Sequence, residues 1–240
     1  MIDPVFFYVL IDTVVNYDPV RLLTDESTLK STIDTSIQSY IQTSLEKFDQ
    51  KFRYSQLVQD IDNTNNSIRN NKTSIKYQQR ITPSNFSVAQ TFTQYFTNEL
   101  KKGSYTSTSF VGTDGNTYSL IDDSLGNIKA ARTTGGVVDS PSVYLTQGDG
   151  TKNQGMIDYT TGKVTLNSLN IASISDGTKT IRLTVIPEIN NSDITPLREQ
   201  VLTYDVSDTD SINITMIAET CLLYTSDAAD DSLRVDLGGR

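Results

Sequence analysis

The 240-residue chain carries 29 Asp and Glu against 20 Lys and Arg, with no His, no Trp and a single Cys. Imidazole bases, His-ligated metals and disulfides are thereby excluded, and the lone thiol has no His to activate it. A net charge of −9 argues against nucleic-acid binding as the main role and favours a self-repelling surface.

The first zone, residues 1–82, opens with a run in which Phe7, Val9, Ile11, Thr13 and Val15 alternate with Tyr8, Leu10, Asp12 and Val14. This predicts a strand buried on both faces, ended by a turn over Asn16 to Pro19. Asp12 breaks the apolar stretch, no run approaches the ~20 apolar residues of a membrane span, and no signal peptide or membrane insertion is expected. Because Met1 leads almost directly into this strand, the chain is expected to be the C-terminal piece of a longer protein.

Thr24 then offers an N-cap, Asp25 and Glu26 suit a first helical turn, and Leu29, Ile33, Ile37, Tyr40, Ile41, Leu45 and Phe48 recur at spacings of three and four. A shorter helix is predicted with Ser55 as cap and Leu57, Val58 and Ile61 on one face, ending in the Asn-rich turn 63–66. Ile68, Thr73, Ile75, Tyr77, Gln79 and Ile81 alternate with charged or amide residues, as in strands with one solvated face. The zone reads as a small α+β module of order β-α-α-β-β.

Texture changes at Thr82-Pro83, where the proline biases its predecessor away from helix. The second zone, 83–220, holds short alternating runs separated by Gly, Asp and Asn. Strands are predicted over 104–111, 117–121, 127–132, 142–146, 155–159, 163–169, 180–186 and 201–204, and 87–100 leans to strand despite helical spacing of Val88, Phe92, Tyr95 and Phe96. Turn signals such as Asp114-Gly115-Asn116 and Thr161-Gly162-Lys163 lie between them. The fold class is therefore α+β, with the first module followed by a β-rich, sandwich-like or distorted-barrel domain. Residues 221–240 read as the translation of a sequencing adapter and are set aside; they hold the sole cysteine, four Asp and two Arg, which leaves 25 acidic and 18 basic residues in 1–220.

Candidate chemical sites have plainer readings. Asp114, Asn116, Asp122, Asp123 and Gly126 could be drawn as a cation loop, but the spacing is not that of a calcium loop and the residues suit tight turns. Gly135-Gly136 and Gly148-Asp149-Gly150 precede no helix and lack the Lys of a phosphate loop. Glu188, Asp193, Glu199 and Asp205 could supply a glycosidase pair, although a solvated surface is the simpler account and no Trp is present to stack on sugars. No catalytic residue, cofactor or metal is assigned. Phe52-Arg53-Tyr54-Ser55 is more distinctive: aromatic residues around an Arg before a helix suit either an interface anchor or a staple inside the fold.

The order Asp3-Pro4-Val5-Phe6-Phe7-Tyr8-Val9, Asn16-Tyr17-Asp18-Pro19, Lys51-Phe52-Arg53-Tyr54-Ser55, Asp60-Ile61-Asp62 and Ser67-Ile68-Arg69-Asn70-Asn71 resembles the C-terminal part of the large baseplate wedge subunit of T-even-like contractile-tailed phages, and more broadly the J-type baseplate proteins. Gly155-Met156-Ile157-Asp158-Tyr159, Thr161-Gly162-Lys163-Val164 and Thr195-Pro196-Leu197-Arg198-Glu199-Gln200-Val201-Leu202 extend the likeness through residue 220. The resemblance implies a non-enzymatic structural protein of the virion tail, assembled in the host cytoplasm. Its implied partners are a second copy of itself, a ring of wedges, and other wedge and hub proteins. Phe52, Arg53, Tyr54, Tyr17 and Arg198 are the expected interface or fold anchors. A receptor- or glycan-binding tail module and a tail-associated glycosidase are the competing readings.

Overall fold

The computed structural model describes residues 4–174, 176–189 and 192–219; the segment 221–240 set aside above lies outside them. Among the described residues the protein is mostly β, with two helices. The first strand, β1 (Val5–Tyr17), alternates as its sequence dictates: Phe7, Val9, Ile11, Thr13, Val15 and Tyr17 point to the core, while Asp12, Val14 and Asn16 are only half-buried. Burial on both faces is thus confined to Leu10 and its surroundings, a correction with a polar cause. On the outer face Asp12 pairs with Lys76 at 2.8 Å, and the Asn16 side-chain amide donates a hydrogen bond to the Asn70 Oδ1 at 2.9 Å.

Helix α1 (Glu26–Ser44) buries Leu29, Ile33, Ile37, Tyr40 and Ile41, each worth about 1.5–3 kcal/mol when removed from water. Its N-cap is Asp25 rather than Thr24, because the Asp25 carboxylate accepts the Thr28 N–H at 2.8 Å. The helix also stops short of the expected Phe48: Leu45 closes it through its N–H to the Ile41 carbonyl, and Asp49 follows at φ +62, leaving Phe48 half-exposed. Helix α2 (Tyr54–Asp62) contains Ser55 inside its first turn, so Ser55 is not the cap. The residues expected to form two strands after it form one, β2 (Ile68–Ile81), antiparallel to β1. The module is β-α-α-β.

The described residues beyond this module add eleven strands: β3 (Ala89–Tyr95), β4 (Thr106–Ser107), β5 (Phe110–Gly112), β6 (Thr117–Asp122), β7 (Asn127–Thr134), β8 (Val137–Val138), β9 (Gly155–Asp158), β10 (Lys163–Ser173), β11 (Ile181–Val185), β12 (Gln200–Thr203) and β13 (Ile212–Ala218). The lean to strand over 87–100 holds for β3. The expected strand 104–111 is split into β4 and β5, because the Ser107 hydroxyl takes the Leu120 N–H that a continuous ladder would use. Residues 142–146 form no strand, only a bridge from Tyr144 to Ala131. β8 and β13 were not expected.

One hydrogen-bonded sheet runs through the molecule in the order β12-β1-β2-β11-β4-β6-β5-β10-β9-β7-β8. Pairing of β6 with β7 closes β6, β5, β10, β9 and β7 into a small barrel whose interior holds Phe110, Leu120, Ile128, Val164 and Leu166. The last two strands return to the first: β12 and β13 both lie parallel to β1, on the side opposite β2. α1 lies over β13 and α2 over β2, so the N-terminal helices rest on strands from both ends of the chain.

Candidate assembly surface

The segment before α2 is built around Phe52. Its ring is fully buried edge-on against Tyr40 of α1, with centroids 5.9 Å apart, and its backbone exchanges both hydrogen bonds with Ile194. Phe52 is apolar and flanked by polar residues, so a single inward position in an extended dipeptide fixes where the chain enters α2. The Tyr40 hydroxyl fastens the next residue, accepting from the Arg53 N–H at 2.8 Å and donating to the Arg53 carbonyl at 3.2 Å.

Arg53 and Tyr54 then meet Asp193. One carboxylate oxygen accepts the Tyr54 N–H at 2.9 Å and the other binds the Arg53 guanidinium at 3.0 Å. α2 has no capping side chain of its own, and Asp193 supplies the missing acceptor at its first turn. Nothing local in the sequence signals this, because the two partners lie on opposite halves of the chain. The Tyr54 hydroxyl reaches the other way and donates to the Thr73 carbonyl of β2 at 2.7 Å. Asn98 completes the junction, donating to the Ser192 hydroxyl and the Asp193 carbonyl.

The remaining anchors are separate. Tyr17 is buried at the end of β1, and its hydroxyl donates to Glu26 at 2.6 Å; that bond to a carboxylate, with burial, raises the phenol above its ordinary value. Tyr17 thereby ties the end of β1 to the start of α1. Arg198 is exposed on the connection before β12 and forms no ion pair among the described residues. Phe52, Tyr54 and Tyr17 sit in the fold; Arg53 and Arg198 face solvent.

The acidic candidates act in turns and clasps. Asp122 accepts the Gly103 and Tyr105 N–H groups and the Tyr159 hydroxyl. Asp123 accepts N–H groups of Leu125 and Asn127 and faces Lys129, and Asp114 holds Asn116 and Tyr118. Gly135 and Gly136, both at positive φ, make the β7–β8 hairpin turn, and Asp149 binds the Thr151 N–H. Of the four carboxylates drawn as a hydrolytic pair, Asp193 is committed as above and Asp205 binds Arg80 and Ser207. Glu188 and Glu199 are exposed. Among the described residues no helix is long and apolar enough to cross a membrane.

Comparison with known families places the first module. Residues 5–80 match the family described as baseplate structural protein gp6, C-terminal domain III. The matched span takes in β1, α1, α2 and nearly all of β2, and with it Phe52, Arg53, Tyr54 and Tyr17. Over that span the likeness to a phage baseplate wedge subunit is shown. No curated protein matches the chain.

Proposed function

We propose that this chain is a structural component of a phage tail baseplate wedge, which associates with itself and links neighbouring wedges into the ring around the central hub of a contractile tail. The observation that carries this reading is the family match over 5–80, which coincides with a complete β-α-α-β unit. Other baseplate wedge and hub proteins are its partners, and the virion tail is its place. In this reading Arg53 and Arg198 are available to partner chains, while Phe52, Tyr54 and Tyr17 hold the surface that presents them. The second zone, a β-rich assembly domain from residue 83, supplies much of the contact between copies. Its sandwich-like or barrel character gives a stiff body, suited to holding neighbours at fixed spacing.

The experiment is reconstitution. The purified chain is mixed with the other wedge proteins of a contractile tail and analysed by native mass spectrometry. Defined complexes containing two copies of the chain are expected. A strict monomer that joins no wedge protein would overturn the proposal.

A further inference from the structure

Among the described residues β13 is hydrogen-bonded on one side only, to β1, in an unbroken parallel register from Ile11↔Ile212 to Tyr17↔Ala218. An open edge presents backbone N–H and C=O groups that another extended chain can satisfy, and folded proteins usually blunt such edges with charges, proline or a bulge. The strand Ile-Asn-Ile-Thr-Met-Ile-Ala has none of these devices. By contrast β2, which among the described residues pairs only with β1 over residues 68–76 and meets β11 from Tyr77 to Ile81, carries Arg69, Lys72 and Lys76 along its own one-sided stretch. On the face away from α1, β13 shows Asn213, Thr215 and Ile217, with Ile217 45% exposed.

We infer that the outer edge of β13 docks the β13 of a second copy, antiparallel, about a two-fold axis at Thr215. This rests on the self-association proposed above and names its surface. Two observations select a second copy as the occupant. First, the strand matches itself about its midpoint on the face toward the helices, where Ile214 meets Met216 and Ile212 meets Ala218; on the other face Thr215 meets Thr215 at the centre and Asn213 lies across from Ile217, so no pair sets like charges against each other. Second, a chain of net charge −9 repels its own copies wherever acids dominate, so contact between like chains requires a neutral strip. β13 is such a strip, and beside it the Asp12–Lys76 pair cancels. A cationic partner would gain nothing from this edge. Pairing seven residues buries less than the ~1,200 Å² of a stable complex, so the contact is weak in isolation and is favoured where copies are already held close.

The test uses the full chain with Cys221→Ser, which removes its one cysteine, and adds Thr215→Cys. At the centre of an antiparallel pair the two introduced thiols sit on Cα atoms about 4.5–5.5 Å apart, within reach of a disulfide. Mild oxidation should convert the chain to covalent dimer at least about tenfold faster than Leu125→Cys, whose position is 84% exposed on a distant turn. Thr215→Lys should weaken the dimer in sedimentation equilibrium by about tenfold or more. A dimer that survives Thr215→Lys unchanged and cross-links no faster at Thr215 than at Leu125 would overturn the edge while leaving self-association intact. A chain that stays monomeric and does not cross-link would overturn both. Should Thr215→Lys fail to fold, as judged by circular dichroism, the cysteine comparison decides.

Discussion

Asp193 accepts the backbone N–H of Tyr54 at 2.9 Å across 139 positions of sequence, and so caps a helix to which it does not belong. The same carboxylate holds Arg53, but that pair is largely exposed, with side chains 61% and 45% accessible, and is worth little in water. The cap is the stronger component. Asp193→Ala should therefore cost about 1–2 kcal/mol in chemical denaturation, within the range for loss of a capping side chain. Asp193→Asn keeps an acceptor for Tyr54 and should recover most of that loss. Equal loss in both variants would show that the charge, not the cap, is what matters.

Asp205 performs a related task on the connection between β12 and β13. It binds Arg80 of β2 and the Ser207 N–H, and Asp208 on the same connection binds Arg182 of β11 at 2.9 Å. Arg80 also lies 4.0 Å from the centre of the Tyr8 ring. Burial alone would raise the Asp205 carboxyl, but its bonds to Ser207 and Arg80 outweigh that and bring it down to about 2. A carboxylate depressed in the folded state stabilises the fold above its unfolded value, near 4. That contribution is lost as pH falls from about 4 through about 2. Asp205→Asn should lower stability at neutral pH by about 2–3 kcal/mol, because Arg80 is left partly buried without its counter-ion. The variant should also flatten the acid limb of the pH–stability curve. An unchanged acid limb would remove Asp205 from the account.

Much of the first module was legible because its signals are local. The apolar spacing in α1 specifies both helix and buried face, and alternation specifies β1 and β2. What escaped was set mostly by distant partners, and at one helix start by competition between neighbours. Asp25 outcompetes Thr24 as cap, although both sit at plausible positions. α2 has no local cap, and its acceptor comes from residue 193. β13 shows clean alternation at Ile212, Ile214 and Met216, yet it is short and follows an Asp-rich turn, so its pairing with β1 depends on topology that no sequence window contains. The hydroxyl of Ser107 breaks a strand that propensity alone would run through to Val111. Among the anchors, aromatic character marked Phe52, Tyr54 and Tyr17, but burial and hydrogen bonding, invisible in sequence, separate them from Arg53 and Arg198.

Gly162 illustrates a position where only one residue fits. It sits at φ +68 between β9 and β10, its carbonyl accepts the Phe96 N–H at 2.8 Å, and an added Cβ would lie 1.7 Å from the Phe96 carbonyl oxygen. That oxygen belongs to backbone and cannot swing aside as a side-chain end would. Gly162→Ala should therefore destabilise by at least about 2–3 kcal/mol, combining a left-handed backbone with a steric clash. Gly115 makes the comparison: it is also at positive φ, but nothing lies near its Cβ position, so Gly115→Ala should cost only about 1 kcal/mol. Thermal melts of the two variants, read side by side, separate crowding from backbone strain. Equal shifts would show that crowding at Gly162 is relieved by movement of the β3–β10 pair.

At the alkaline end, buried tyrosines should set the limit of stability. Burial raises the Tyr77 phenol, whose hydroxyl has no hydrogen-bond partner among the described residues, to about 12, and burial with the Asp114 hydrogen bond raises Tyr118 to about 12. A folded value above the unfolded one, near 10, means that the contribution is complete below pH 10 and is lost as pH rises through about 12. Spectrophotometric titration should then show exposed phenols ionising first and a second, steeper phase in which the fold opens and the buried ones ionise together. Tyr118→Phe removes one of these phenols and its bond to Asp114, so it should lower stability at neutral pH while making the alkaline limb shallower. Tyr77→Phe, whose hydroxyl is buried, should shallow the same limb at smaller cost. A single titration phase near pH 10 for all tyrosines, with the protein still folded, would contradict the burial on which this expectation rests.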